Sequence, residues 1–112
     1  MEIISAFALC DFNAGENKVK WKKQKANVLY LDRFGVNVKY LREGIGSLML
    51  TKAKETAKAN GAESLRLFVV DINKPAINLY TKNGFIKAEG VDDEVIDEDF
   101  ILHEFGFEAE II

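Results

Sequence analysis

Residues 36–47 have the sequence VNVKYLREGIGS and join an apolar segment to an amphipathic one. The segment that leads into them, residues 27–38, predicts a strand in which Gly35 marks a bulge or a close backbone approach. From Gly44 onward, apolar residues recur at helical spacing while lysines and glutamates fill the other face. This pattern predicts a helix that ends at Asn60-Gly61.

The junction between this strand and this helix has the features of an anion-binding site. Glycines allow a ligand to approach the backbone closely, the first N–H groups of a helix have no partner within it, and the helix dipole favours negative charge there. Two familiar nucleotide loops are excluded, because no Lys follows Gly46 and Gly44-Ile45-Gly46 lacks the third glycine of a dinucleotide fingerprint. The spacing predicts a phosphate site, and the alternative is a helix that merely begins with glycines.

The rest of the chain predicts an α/β fold (α+β, with a mixed sheet) in a single domain, residues 1–112. Residues 65–70 are too apolar for a half-exposed strand and fit a central one. A second helix is predicted between the N-cap Asn73 and Gly84, with Tyr80 on its apolar face. The other predicted strands are residues 3–12, 18–22, 85–89 and 100–111, which gives the order β-β-β-α-β-α-β-β.

Two segments of the chain resemble signatures of the GNAT superfamily of N-acetyltransferases. Residues 36–47 resemble the loop that holds the pyrophosphate of acyl-CoA in that family. Residues 73–85, NKPAINLYTKNGF, resemble its second signature, an Asn, a helix bearing Ala and Tyr, and then Gly-Phe. The two matches occur in the expected order and, with the helix and strand between them, cover most of residues 28–87.

The resemblance implies a binding site for acetyl-CoA as cosubstrate. Its pantetheine arm would enter an opening between the strand ending near Val38 and the strand ending near Val70. The backbone of Val36 and Val38 would pair with the arm, and Asn73 would bond it from the far side. The pyrophosphate would be held by the N–H groups of Arg42, Glu43, Gly44, Ile45, Gly46 and Ser47.

The resemblance also implies an acyltransferase, an N-acetyltransferase in which a primary amine attacks the thioester directly within a ternary complex. A backbone N–H near Val36, freed by a bulge, would stabilise the oxyanion. Tyr80 would be the catalytic acid that protonates the leaving thiolate, and the alternative is a tyrosine of the core. A non-catalytic module of the same fold, which binds CoA or pairs with another chain, is the competing hypothesis.

The sequence departs from the family pattern in two places. Leu41 stands where Gln or Arg is usual, and Arg42 where glycine is common. The family fold also opens with a strand and a helix pair before the hairpin predicted at residues 3–31, so the domain is expected to be N-terminally shortened. An edge strand and a sheet face left uncovered would be a liability, which predicts a homo-oligomer, a dimer in the simplest case, or a longer natural protein.

Charge divides the chain into two parts. Residues 1–87 carry all 15 Lys and Arg with eight acids, and residues 88–112 carry ten acids with no Lys or Arg. This distribution argues against an even basic face for nucleic acid. The acid-rich connection Glu89–Asp99 would border the acceptor site in this family and would attract a cationic amine, whether a small molecule or a peptide. A solvated acidic loop is the alternative.

Single cysteine and histidine residues restrict the remaining possibilities. Cys10 cannot form an internal disulfide and His103 has no cluster at zinc spacing, so we expect a cytoplasmic protein with no metal. The opening apolar run is too short for a membrane span. His103 has apolar neighbours at alternate positions, which favours a packed or rim residue over a general base.

Overall fold

The computed structural model describes residues 5–11, 18–21, 27–36 and 44–111. A six-stranded mixed sheet with two helices confirms the predicted fold class. The elements are β1 (Ser5–Cys10), β2 (Val28–Val36), α1 (Ile45–Ala59), β3 (Ser64–Val70), α2 (Lys74–Lys82), β4 (Ile86–Lys87), β5 (Asp92–Asp97) and β6 (Phe100–Glu110).

The sheet has the order β1-β2-β3-β6-β4, and β5 pairs with β6. β2 and β3 are parallel and are connected through α1, because a parallel pair needs a long crossover. The other strand pairs are antiparallel. β3 has β2 on one side and β6 on the other, which confirms that the apolar run at residues 65–70 is a central strand.

The main core lies between both helices and one face of the sheet. α1 contributes Leu50, Ala53 and Ala57, which are fully buried at the spacing of one helical stripe. The odd-numbered residues of β3 meet them, together with Phe107 of β6. Each large apolar side chain buried in this way contributes about 1.5–3 kcal/mol. Among the described residues, no helix is long and apolar enough to cross a membrane.

The opposite face of the sheet is covered in part by residues 18–21. Val19 and Trp21 are buried there in a second cluster with Tyr30 and Ala88. The Arg66 guanidinium lies 4.5 Å from the centre of the Trp21 ring. A Cβ placed on Gly106 would lie 2.9 Å from that ring, so the glycine lets the tryptophan pack against β6.

This placement corrects the prediction that residues 18–22 form the return strand of a hairpin. β1 pairs with β2, and Lys20 makes an isolated bridge to Glu89. Residues 18–21 nevertheless alternate as a strand does, since the two lysines are exposed while Val19 and Trp21 are buried. Burial of the tryptophan on the second face explains why the segment follows this course.

The acid-rich connection is also different from the prediction. Residues 92–97 form β5, which pairs with β6 from Asp92↔Glu104 to Asp97↔Phe100. Its sequence, DDEVID, has no apolar alternation, so backbone pairing with β6 rather than burial makes it a strand. The strand predicted at residues 85–89 is shorter than expected, because β4 contains Ile86 and Lys87 only.

Candidate functional site

A cleft opens between β2 and β3 toward their carboxyl ends. The two strands pair from Val28↔Ser64 to Tyr30↔Arg66, and no further pair joins them within the described parts of either strand. Beyond that point lies a cavity of about 260 Å³. Its lining includes Leu31, Asp32, Val69, Val70, Asn73 and Tyr80. Open α/β sheets commonly bind ligands at this position, and the cleft lies where the sequence predicts an opening.

β2 carries an irregularity close to this cleft. Its register with β1 shifts, since Ala6 pairs with Gly35 and Ala8 pairs with Asp32. β2 therefore uses one residue more than β1 over the same distance, which is the bulge that Gly35 predicts. Backbone groups at a bulge leave the regular ladder and can serve a ligand.

The amino end of α1 follows β2 at the same end of the sheet. Gly44 is its N-cap with φ of 77°, a left-handed conformation that favours glycine. The first intrahelical bond of the turn runs from the Leu48 N–H to the Gly44 carbonyl at 3.1 Å. The N–H groups of Ile45, Gly46 and Ser47 thus have no partner within the helix, and the first turn contains no acidic residue. This turn can accept an anion.

Gly46 has a packing role that sequence reasoning missed. A Cβ at this position would lie 2.9 Å from Cδ2 of Leu79, so the absence of a side chain lets α1 approach α2 closely. Ser47, the next residue, accepts a hydrogen bond at its Oγ from Nδ2 of Asn83 at 3.0 Å. The two helices are therefore in direct contact at the turn predicted to hold a phosphate.

Part of the predicted site lies outside the described residues. This applies to Val38, Arg42 and Glu43, and to Leu41, where the sequence departs from the family pattern. Val36 is the last residue of β2, and its backbone pairs with Ser5 of β1. Their predicted contacts with a cosubstrate stay predictions.

Asn73 is the N-cap of α2, as the sequence predicts. Its Oδ1 accepts a hydrogen bond from the Ala76 N–H at 3.3 Å, and Pro75 lies in the first turn. The residue also lines the cleft. Because its oxygen serves the helix, its amide NH₂ is the donor that a ligand in the cleft would meet.

Tyr80 is buried in the core and also lines the cleft. Its ring packs edge-on against Phe85 at 5.9 Å between centroids and lies 6.4 Å from Phe107. Burial raises the pKa of its phenol above the usual value of 10.0. The two sequence interpretations, a core tyrosine and a site tyrosine, are thus compatible in one residue, which stays protonated at neutral pH.

His103 is not packed in the core, and its position is compatible with the rim residue that the sequence favours over a general base. Its side chain is half exposed, and its Nδ1 lies 2.5 Å from Oδ1 of Asp93 on β5. The hydrogen bond to Asp93 raises the pKa of His103, slight desolvation opposes this, and the charges of Asp93 and Asp71 add to the rise. Sequence reasoning missed the pair because it did not predict β5, where Asp93 is directly opposite His103.

Acidic residues lie in the lining of the cleft, at Asp32, and directly after it on β3, at Asp71. The Asp71 N–H donates to the His103 carbonyl at 2.8 Å, and Asp71 directly follows Val70, which lines the cleft. Within the described ranges, no group of three or more His, Cys, Asp or Glu residues could hold a metal ion. This end of the sheet can therefore attract a cation through carboxylates.

The sequence comparisons agree on one family. A family model described as the acetyltransferase (GNAT) family matches residues 4–85. The chain is 38% identical over 86 residues to thialysine N-ε-acetyltransferase of Bos taurus, a match that covers 77% of this chain and 46% of that protein. The chain thus spans less than half the length of this curated relative.

Solved structures with the same architecture belong to acetyltransferases. A GNAT acetyltransferase of Streptococcus pneumoniae is 29% identical with a TM-score of 0.65, over 80% of this chain and 55% of that one. A protein of Salmonella typhimurium, assigned as an acetyltransferase and solved with its cofactor acetyl-CoA, has a TM-score of 0.73 at 13% identity. That match covers 97% of this chain and 58% of the Salmonella chain. At that identity the second likeness concerns the fold alone.

Proposed function

Because the chain belongs to the GNAT family of acetyltransferases, we propose that it transfers an acetyl group from acetyl-CoA to a primary amine by direct attack within a ternary complex. The observation that carries this proposal is the cleft between β2 and β3, with Tyr80 in its lining and the first turn of α1 following β2 at the same end. These are the parts that the reaction needs, namely an extended slot, an anion site and a proton donor.

The chain offers suitable groups for each portion of acetyl-CoA. The N–H groups of Ile45, Gly46 and Ser47 would hold the pyrophosphate, and a charge at a helix amino end contributes about 0.3–1 kcal/mol. The pairing of β2 with β3 runs from Val28↔Ser64 to Tyr30↔Arg66, and the cleft opens beyond it, so the backbone of β2 on that side would face the pantetheine arm. The Asn73 amide would donate to the arm from the α2 side.

Acetyl-CoA supplies an activated acyl carbon, and residues of this chain would lower the barrier to its transfer. A backbone N–H in the bulged end of β2, near Val36, would donate to the developing oxyanion. One such donor contributes about 2.7–4 kcal/mol to lowering a barrier. The Tyr80 phenol would give its proton to the leaving sulfur, and burial keeps that proton in place until the thiolate forms.

The acceptor we propose is a small cationic amine. Asp71 directly follows Val70 of the cleft lining, and Asp93 lies on β5 opposite His103, whose carbonyl accepts from the Asp71 N–H. Carboxylates at this end of the sheet would raise the local concentration of ammonium groups. The curated relatives are named thialysine N-ε-acetyltransferases, and an ε-amine of the lysine type is protonated at neutral pH. Support for this acceptor class therefore comes from the charges and from the relatives together.

A thiol-release assay tests the proposal. The chain is mixed with acetyl-CoA and a panel of primary amines that includes polyamines, lysine analogues and a lysine-rich peptide, and free CoA is measured. We expect amine-dependent release, with cationic amines preferred. Calorimetric binding of CoA without release on any amine would instead indicate a non-catalytic module, and absence of binding at millimolar CoA would contradict both.

Three further expectations stay predictions: a single domain over residues 1–112, a cytoplasmic location and a homo-oligomer. Two features support the last of these. Among the described strands, β1 pairs with β2 alone, and Val95 and Ile101 are exposed on the β5–β6 hairpin. A folded, monodisperse monomer in light scattering would contradict self-association.

A further inference from the structure

Asn83, the C-cap of α2, is bonded to both helices of the fold. Its Nδ2 donates to the Ser47 Oγ at 3.0 Å and to the Leu79 carbonyl at 2.8 Å. Its backbone N–H donates to the Leu79 carbonyl at 3.1 Å and to the Tyr80 carbonyl at 3.0 Å. The side chain therefore connects the last turn of α2 with the first turn of α1.

Lys54 of α1 holds the same residue from a second direction. Its Nζ donates to the Asn83 carbonyl and lies 5.0 Å from the centre of the Phe85 ring. The carbonyl, the N–H and the side-chain nitrogen of Asn83 are thus all engaged. These bonds restrict the orientation of Asn83 relative to Ser47.

The two ends of this connection belong to different parts of the proposed site. Ser47 lies in the turn whose N–H groups would hold the pyrophosphate. Tyr80 lies on α2 three residues before Asn83 and would serve the sulfur at the other end of the cosubstrate. Contact with the pyrophosphate can increase the rate at the sulfur only if the distance between the two ends is fixed.

We propose that Asn83 is a positioning residue for acetyl transfer, which holds the Tyr80 helix at a fixed position relative to the anion-binding turn of α1. The inference rests on the proposed function. Its consequence is that a thioester with a pyrophosphate reacts faster than one without it, and that this advantage depends on the bond between Asn83 and Ser47.

The test compares two acetyl donors, acetyl-CoA and S-acetylpantetheine, which lacks the pyrophosphate. The value of kcat/KM for acetyl-CoA is divided by the value for S-acetylpantetheine, and this ratio is measured in the unchanged chain, in Asn83→Ala and in Ser47→Ala. Both variants should lower the ratio by about three- to tenfold, the effect of one neutral hydrogen bond. Ser47→Ala keeps the backbone N–H of the turn and supplies a second route if Asn83→Ala unfolds.

The matched control is Asn78→Ala, since Asn78 is an exposed asparagine on the same helix. It should leave the ratio unchanged. If Asn83 served stability alone, both donors would lose rate equally and the ratio would stay constant, which would overturn the positioning role. An unchanged chain that transfers acetyl from neither donor would overturn the proposed function and this inference together.

Discussion

Tyr80 belongs both to the main core and to the lining of the cleft. Its ring packs against Phe85 and Phe107 in the main core, and the residue also lines the cleft between β2 and β3. Since burial raises the pKa of the phenol, the group holds its proton over the whole physiological range. A phenol of this kind can act as a proton donor to a thiolate but not as a base at neutral pH.

Tyr80→Phe therefore separates the two roles. The ring and its packing remain, so the free energy of unfolding should fall by no more than about 0.5–1.5 kcal/mol, the value of one hydrogen bond. The kcat for acetyl transfer should fall by about 10²-fold or more. Steady-state kinetics and thermal unfolding measure the two effects. The control is Tyr30→Phe, because Tyr30 is a buried tyrosine on the opposite face of the sheet. If the two variants have equal kcat, Tyr80 is not the catalytic acid.

Helix ends and other features that depend on residues close together along the chain could be predicted from the sequence. α1 ends at Asn60, α2 is capped by Asn73, and Gly84 follows α2 with a positive φ, all from local signals. The candidate site could be named for the same reason, because Gly44–Ser47, Asn73 and Tyr80 lie in two continuous motifs.

Pairings between distant segments could not be predicted. β5 is a strand because β6 lies beside it, and the His103–Asp93 contact follows from that register. The Ser47–Asn83 bond depends on how closely α1 approaches α2. Trp21 is not part of the expected hairpin, since its ring is buried beside Gly106 on the other face of the sheet. None of these relations has a signal in local spacing.

Gly106→Ala tests the packing of residues 18–21 on the sheet. The new Cβ would lie 2.9 Å from the Trp21 ring and 3.0 Å from a methyl of Val19. Overpacking of this kind costs about 1–3 kcal/mol of unfolding free energy. Chemical denaturation should show that loss, and the emission of the single tryptophan should shift to the red as the ring becomes exposed. The control is Ile101→Ala, on the same strand, which should leave the emission unchanged. Unchanged emission in Gly106→Ala would contradict the packing of Trp21 beside Gly106.

The β5–β6 hairpin should respond to pH through His103. Its pKa in the folded chain lies above the ordinary 6.5, so the pair with Asp93 stabilises the hairpin at low pH and loses that contribution as pH rises through the raised value. NMR titration of the single histidine measures the midpoint directly. Asp93→Asn should lower the midpoint toward 6.5, whereas a midpoint that does not move would contradict the pairing.

In the whole molecule, the cleft and the amino ends of both helices lie at the same end of the sheet. The amino ends of α1 and α2 and the cleft lie at the carboxyl ends of β2 and β3, and the acids of β5 join the sheet through β6. The net charge of −3 is the sum of two unlike parts, residues 1–87, which contain every Lys and Arg, and the acidic residues 88–112. Such a division fits the proposed transfer from an anionic cosubstrate to a cationic acceptor.

The proposed position of acetyl-CoA can be tested by titrating the isotope-labelled chain with acetyl-CoA and following the amide chemical shifts. The largest shifts should belong to Ile45, Gly46 and Ser47, with a second group at Val69, Val70 and Asn73. S-acetylpantetheine should move the second group alone. Shifts confined to the cavity lined by Asp11, Asn27 and Asn60, at the opposite end of the strands, or no shifts at millimolar acetyl-CoA, would contradict the proposed position.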